Sequence, residues 1–600
     1  MTHVIRSRDL CLGKRILRII IKSHWIVGQV ANLRRVANPP GRYCSGRPAR
    51  LAIARRMAFF PTWRSESPYA TQCARRDILE LTAGMSESKH VNPWIVAISV
   101  MCCTFMEVLD TTVVNVSLPH IAGNLSATID EATWVLTSYL VANAVILPIT
   151  GWLSNYFGRK RLLMFSVVGF TISSFLCGIA PTLPFLILFR LLQGACGGSL
   201  APLSQAVLLE AFPPEARGKA MGFWGLGIVV APVLGPVFGG WLTDSYSWRW
   251  VFYINLPVGI ASIFMVQSFV FDPPYIRRSK AGIDWWGIGL LVVWIGALQV
   301  AFDKGQELDW FSSPFITTLV ATSVVFLIAF VARELMAEHP VMNMSVFKLR
   351  SYSTGVFLMT TLGFVLYGSI VLLPIWLQTL LGYPATTTGF TMAPRGLGSM
   401  LGMPIVGMFA SRFDARKVLA GGLLLGAAST WELSRLNLNV GYWDLFWPQA
   451  IQGFGLGMVF VPLTTIAMNP VPREAMGNAT SIYNLMRNLG GSIGIAIVAM
   501  LNTRFQQKYI QILGSNVTAT NAQASQMFNA MKSMYLGTGS GQGLADQRAY
   551  ASLFGVVERQ AAMRAFVDLF QLLTVVFLLM IPLTLIMKKP KAGGAAPGAH

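Results

Sequence analysis

From Trp94 onward the chain is a succession of long apolar runs separated by short polar stretches. A helix that crosses a bilayer needs about 20 mostly apolar residues. Runs of that length predict spans at 94–118, 132–153, 162–180, 184–208, 219–241 and 248–270. Two more follow at 285–302 and 312–333, then six at 353–378, 389–410, 416–433, 443–468, 479–501 and 565–587. The pattern is that of an all-α integral membrane protein with fourteen transmembrane helices. The stretch 503–564 is polar and rich in Gln, Ser, Gly and Asn. It reads as a mobile, solvated loop on the outer side, with apolar patches at 509–513 and 549–557 able to form short helices. Contact with a partner protein is the alternative use of that loop.

The first and last sets of six spans are related. GWLSNYFGRKR at 151–161 recurs as GMFASRFDARK at 407–417. Gln193-Gly194 recurs as Gln452-Gly453, and PEARGKA at 214–220 recurs in outline as REAMGNA at 473–479. Each copy has an equivalent place among the spans. This divides the chain into a six-helix bundle at 90–270, two additional helices at 271–340 and a second bundle at 341–590. A tail at 591–600 follows. Parallel repeats of this kind place a binding site between the bundles near mid-membrane.

Composition agrees, with 54% of residues apolar and 12% charged, against about 25% charged in soluble domains. The mean hydropathy is +0.55. Cys102, Cys103, Cys177 and Cys196 lie in apolar runs, and the seven cysteines draw neither a disulfide framework nor a zinc pattern. There is no Walker-type phosphate loop and no constellation of nucleophile, metal or cofactor, so neither an ATP-driven pump nor an enzyme is supported.

The net charge of +21 is unevenly placed. Residues 1–84 hold 16 Lys/Arg and 4 Asp/Glu, a surplus of 12 that leaves +9 for the rest. This leader has no run able to span and no signal-peptide core. It reads either as a basic arm for anionic lipid or nucleic acid, or as untranslated or unstructured chain before a start at Met85. In the remainder, cytoplasmic loops are expected to collect Lys and Arg. With both ends inside, those loops and the tail hold 18 such residues and the short outer loops only Arg249, Lys304 and Arg435.

Ionised side chains inside spans cost roughly 2.5–3.5 kcal/mol each on insertion scales, so each is a functional candidate. Glu107 and Asp110 lie three residues apart on one face of the first span. Arg190, in the fourth span, is at a depth similar to that of Asp110, so an ion pair is geometrically possible. Such a carboxylate could exchange a proton as its surroundings change, or form a permanent pair that fixes packing. Gln449 stands at the second-half equivalent of Arg190, which concentrates charge in the first half. Gln193, Arg395 and Arg487 are candidates for substrate contact or gating. The two arginines could equally be bonded to carbonyls near helix ends. In the fifth span, Gly227, Gly235, Gly239 and Gly240 permit close helix approach. Pro232 and Pro236 allow a bend, so this helix could seal the two halves or simply pack tightly. Gly151 and the turn at Gly158 precede Arg159, Lys160 and Arg161, cations that could latch helix C-termini or acidic groups or serve topology alone.

Taken together, the motifs resemble the major facilitator superfamily and, within it, the fourteen-span drug:proton antiporter branch of EmrB/QacA type. The resemblance covers about 90–590. It rests on MEVLDTTVVNVSLP at 106–119, GWLSNYFGRKRLL from 151, RLLQG at 190–194, GPVFGG at 235–240, SWRWVFYINLPVG at 247–259, PRGLG at 394–398 and RNLGGSIG at 487–494. Asn155 stands where the loop motif usually carries Asp, so one charge that would meet a helix end is missing. The resemblance implies the major facilitator fold and a multidrug:proton antiporter in which Asp110 couples the proton with Arg190 as partner. Gly235, Pro236, Gly239 and Gly240 would form the antiporter motif. It implies no cofactor beyond the proton, a bacterial inner-membrane location and amphipathic substrates. A periplasmic adaptor and an outer-membrane channel would be partners, and nucleic acid would not. Export of a specific metabolite, siderophore or amino acid by the same fold is the alternative.

Overall fold

A backbone in hydrocarbon must satisfy its own hydrogen bonds, so apolar runs of this length close into helices. The computed structural model describes residues 92–213, 216–272, 284–338, 340–409, 413–518 and 520–587. The basic leader 1–84 and the tail 591–600 lie outside the described residues. So do several cations of the topology argument, among them Arg277, Arg278, Lys280, Arg412 and Lys588.

Helix occupies every predicted span. The first part comprises α1 (Pro93–Asn124), α2 (Trp134–Phe157), α3 (Arg159–Ile179), α4 (Leu183–Gly197), α5 (Leu200–Ala211), α6 (Arg217–Ser245) and α7 (Asn255–Phe269). The helices α4 and α5 are two pieces of one predicted span, parted at Gly198 and Ser199. Next come α8 (Trp285–Lys304) and α9 (Pro314–Met336). The last part holds α10 (Arg350–Thr379), α11 (Ala385–Phe409), α12 (Ala415–Leu433), α13 (Tyr442–Met468), α14 (Met476–Gly514), α15 (Ala522–Gly537) and α16 (Gln542–Thr584). Among the described residues, 11 helical segments are long and apolar enough to cross a membrane, or 12 if the bent α6 counts as one. The helices α11 and α12 are not among them. Arg395 and two prolines lie in the first, and Arg416, Lys417 and Glu432 in the second.

The stretch after 503 departs from the expected loop. The helix α14 runs on to Gly514, α15 follows, and α16 begins at Gln542 and continues as one 43-residue helix. Packing of α15 on α16 explains the order. Phe528 meets Tyr550 with ring centroids 4.4 Å apart, and Lys532 pairs with Asp546 at 2.6 Å. Polar composition made this stretch look like coil, but a helix that leaves hydrocarbon needs only one packed stripe.

In the first part, α1 packs against α5, α6 and α7, while α4 lies between α2 and α3. In the last part, α10 packs on α14, α11 on α13, and α16 on α12 and α14. Between the two parts, α6 meets α11 and α13, and α14 meets α2 and α5. The added helix α8 touches both α2 and α14, with α9 against it. Glycines make the seam close at the predicted cytoplasmic end. A Cβ on Gly151 would lie 2.6 Å from the Asn478 Cα, and one on Gly222 would lie 2.6 Å from the Met403 carbonyl oxygen. These positions carry no side chain because a neighbouring backbone occupies the space.

Candidate functional site

The helix α1 buries Asp110 completely, and three other helices supply its surroundings. From α4, Arg190 donates through Nη1 to Asp110 Oδ2 at 2.6 Å. From the same helix, Gln193 Nε2 donates to Oδ1 at 3.0 Å. Arg190 and Gln193 are three residues apart and so share a face. From α7, Asn255 Nδ2 donates to Oδ1 at 2.7 Å and also reaches Ser174 Oγ on α3 at 3.1 Å. Arg190 is held in turn. Its Nε donates to the Val135 carbonyl at 3.1 Å, its Nη1 also donates to Gln193 Oε1 at 2.8 Å, and its guanidinium lies 4.1 Å from the Tyr139 ring centroid.

Both ions of this pair have zero side-chain exposure. A dry ion pair of this kind persists only when further hydrogen bonds satisfy the remaining lone pairs and protons. Gln193, Asn255 and Val135 supply most of those bonds, Arg190 Nη2 is left without one, and the Tyr139 face adds a cation–π contact. The arrangement therefore depends on α1, α2, α4 and α7 keeping their relative positions. Displacing α4 or α7 removes a donor from the carboxylate, and displacing α2 removes an acceptor from the guanidinium.

Glu107 lies one turn from Asp110 and meets a different neighbour. Its Oε1 accepts from Asn143 Nδ2 on α2 at 2.9 Å, while Oε2 has no hydrogen-bond partner. Gln193, a candidate for substrate contact or gating, is part of the Asp110 cluster. Arg487 on α14 donates to its neighbour Asn488 and lines a crevice with Gly225 and Ile228 of α6 and Tyr367 of α10. Arg395 on α11 is buried and donates through Nη2 to Gln452 Oε1 on α13.

The fifth-span glycines bind α6 to α1. Gly235 lies against Thr112, a Cβ on Gly239 would stand 2.7 Å from the Val113 carbonyl oxygen, and one on Gly227 would stand 2.9 Å from the Met101 side chain. Gly240 is looser, with Val116 4.0 Å away. The axis of α6 bends by 41° between Arg217–Pro232 and Val237–Ser245. These motif glycines therefore face a helix of the same half, whereas Gly222 and Gly225 make the approach to Met403 on α11. Contact between the two halves along α6 thus falls to two glycines that precede the motif.

At the α2–α3 turn, Gly158 has φ +91°, a left-handed conformation that favours glycine. Beyond it the amide of Lys160 donates to Asp272 at 2.8 Å, and Lys160 Nζ donates to the Gln267 carbonyl in the last turn of α7 at 2.6 Å. Arg159 is buried in an ion pair with Glu210 of α5. Arg161 points outward. An acid on α5 and another just beyond the end of α7 thus meet the cluster although position 155 is Asn.

Sequence reasoning missed Asn143, Tyr139, Asn255, Glu210 and Asp272. The neutral residues barely disturb a hydropathy profile, and the two acids stand at span ends, where charge is ordinary. Asn255 had the strongest available signal, a carboxamide within the apolar stretch after Trp250.

The sequence profile of the Major Facilitator Superfamily matches residues 100–495. The chain belongs to the major facilitator superfamily. The multidrug export protein EmrB of Escherichia coli (strain K12) is 36% identical over 509 residues, covering 84% of this chain and 98% of that protein. EmrB of Haemophilus influenzae is 41% identical, covering 68% of this chain and 80% of its own. The fatty acid resistance protein FarB of Neisseria gonorrhoeae is 36% identical over 84% of this chain and 97% of its own. Among solved structures, the human organic anion transporter MFSD10 (TETRAN) superposes with a TM-score of 0.52 at 14% identity, covering 81% of this chain and 99% of that one. That likeness is one of fold. The major facilitator chain described here is a multi-pass membrane protein.

Proposed function

We propose that this protein exports amphipathic toxic compounds, drugs among them, across the bacterial inner membrane in exchange for protons entering the cell. Relatives named as multidrug export proteins, matched over 98% and 80% of their length, support the cargo. The carrying observation for the coupling is the dry Asp110 carboxylate, held by donors from α4 and α7. When α1 shifts against α4 and α7 during the cycle, the donors change, and the carboxyl takes a proton from one side and releases it to the other. One proton crossing about 100 mV yields about 2.3 kcal/mol, enough for roughly a fiftyfold gradient. The coupling ion is the proton, with no further cofactor.

In this reading all fourteen helices cross the bilayer, with both termini cytoplasmic. The bundle at 90–270 handles the proton and the one at 341–590 contributes to the cargo site. Burial of Asp110 and Arg190 in the first part, against Leu366 and Gln449 at the repeat-related positions, supports that division. The helical stretch 503–564 would meet a periplasmic adaptor leading to an outer-membrane channel, an assignment resting on resemblance to EmrB-type exporters.

Everted vesicles with an imposed pH gradient, challenged with a compound panel, test this. Accumulation of several unrelated dyes and uncouplers is expected. Transport of a single metabolite, siderophore or amino acid would replace the drug reading, and no gradient dependence would remove proton coupling.

A further inference from the structure

The internal repeat extends to the buried polar cluster, and the second copy lacks both members of the ion pair, with Leu366 and Gln449 at the positions of Asp110 and Arg190. Gly194 packs on the Tyr139 carbonyl between α2 and α4, and Gly453 packs on the Arg395 carbonyl between α11 and α13. These matching approaches set Arg395 in the place of Tyr139 and Gln452 in the place of Gln193. The offset of 256 residues that carries Gly151 to Gly407 and Tyr139 to Arg395 carries Asp110 to Leu366. Leu366 lines the same crevice as Arg395 and Gln452. The second half thus keeps the glutamine and places a buried cation where the first half has Tyr139, but has leucine where the first half has its carboxylate.

Arg395 is accordingly underfilled. It is 7% exposed, its Nη2 donates to the neutral Gln452, and Nε and Nη1 have no hydrogen-bond partner. Among the described residues it forms no salt bridge. A guanidinium with unused donors is costly to bury away from water, and an anion that reaches those donors stabilises it. The walls around it are hydrocarbon, from Leu362, Leu366, Val459 and Phe577. A second crevice shares Leu362, Leu366 and Leu456 and runs between the two parts of the chain, past Gly225 and Arg487. An apolar body could pass along this connected surface while an anionic group remains at Arg395.

We propose that Arg395 is a substrate-anion site. It accepts the carboxylate, or another single negative charge, of an amphipathic organic acid whose apolar part lies against Leu366 and Phe577. Gln452 holds the guanidinium so that Nε and Nη1 stay available. This deepens the export reading by assigning a cargo class to one residue, and it rests on that reading for the term substrate.

The test is fluorescence binding with full-length protein in zwitterionic phosphatidylcholine nanodiscs, using pyrenebutyrate and its uncharged amide. Wild type should bind the carboxylate at least about tenfold more tightly than the amide. Arg395→Gln should remove that preference with little change for the amide, and Arg395→Lys should restore part of it. Equal affinity of wild type for carboxylate and amide would overturn the proposal, and this comparison needs no variant to fold. An undiminished preference in a folded Arg395→Gln protein would also overturn it. Stoichiometric displacement of the probe by phosphatidylglycerol would assign the cation to a lipid instead. Pyrenebutyrate transport by wild-type proteoliposomes is measured alongside. Failure of all transport would remove the export reading while leaving the binding preference to report on Arg395.

Discussion

Asn255 on α7 donates to Asp110 on α1 at 2.7 Å, and so ties a carboxamide near the end of the first half to the carboxylate near its beginning. A hydrogen bond to a charged group is worth about 1.5–3 kcal/mol. Asn255→Leu should therefore slow proton-driven export about tenfold or more at unchanged protein abundance. Asn255→Asp should do the same by setting a second carboxylate against the first. Initial efflux rates, normalised to membrane content, check this.

Arg190 has a different role in the same cluster, because its removal leaves an unpaired charge in a dry site. Breaking a buried pair from one side costs about 3–5 kcal/mol. Arg190→Ala should fold poorly, read as a lowered melting temperature and reduced yield in detergent. Arg190→Lys cannot reach Val135, Gln193 and Asp110 together as the guanidinium does, and should fall between alanine and wild type. The double change Asp110→Asn with Arg190→Gln should regain stability without regaining transport.

The seam between α2 and α14 offers a conformational test. A Cβ on Gly477 would lie 2.9 Å from Ser154 Oγ, so thiols at these two positions are near enough to be joined. Ser154→Cys with Gly477→Cys should cross-link on oxidation and stop export, and reductant should restore it. Retained transport in the cross-linked protein would show that this seam does not open during the cycle.

Asp284 caps the start of α8 and joins it to α9, accepting from the Gly287 amide at 3.1 Å and from Arg333 Nε and Nη2 at 3.2 Å. Burial alone would push its carboxyl up. The hydrogen bonds from Arg333 and the backbone outweigh that and hold it below the usual carboxylate range. A depressed carboxyl stabilises the fold above its unfolded value, and the contribution disappears as pH falls through the folded one. Protection of the first turn of α8 in hydrogen exchange, corrected for intrinsic rates, should thus persist to about pH 4 and decline only below it. Arg333→Ala should weaken that protection even at neutral pH.

The helices were readable because a bilayer imposes a length on apolar runs, and the repeat was readable because glycine positions such as Gly151 and Gly407 are fixed by backbone contact. The approach of Asp110 to Arg190 followed from depth along two helices. Depth alone does not say which neutral side chains face a site. Asn255 and Tyr139 therefore emerged only when α7 and α2 were placed around the pair. The same limit applies to Arg395, whose missing partner is visible only once Leu366 is found across from it. The helices after 503 were hidden for the opposite reason. Outside hydrocarbon, a helix needs no long apolar run, and hydropathy had nothing to count.

Substrate-driven proton movement in proteoliposomes of Asp110→Asn tests the account most directly. The variant leaves the Arg190 charge unpaired and should be less stable than wild type, but the protein that reaches the membrane folded should bind dye as wild type does and give no proton flux when substrate is added. Wild-type proton flux from that variant would contradict the central claim that the Asp110 carboxylate carries the proton.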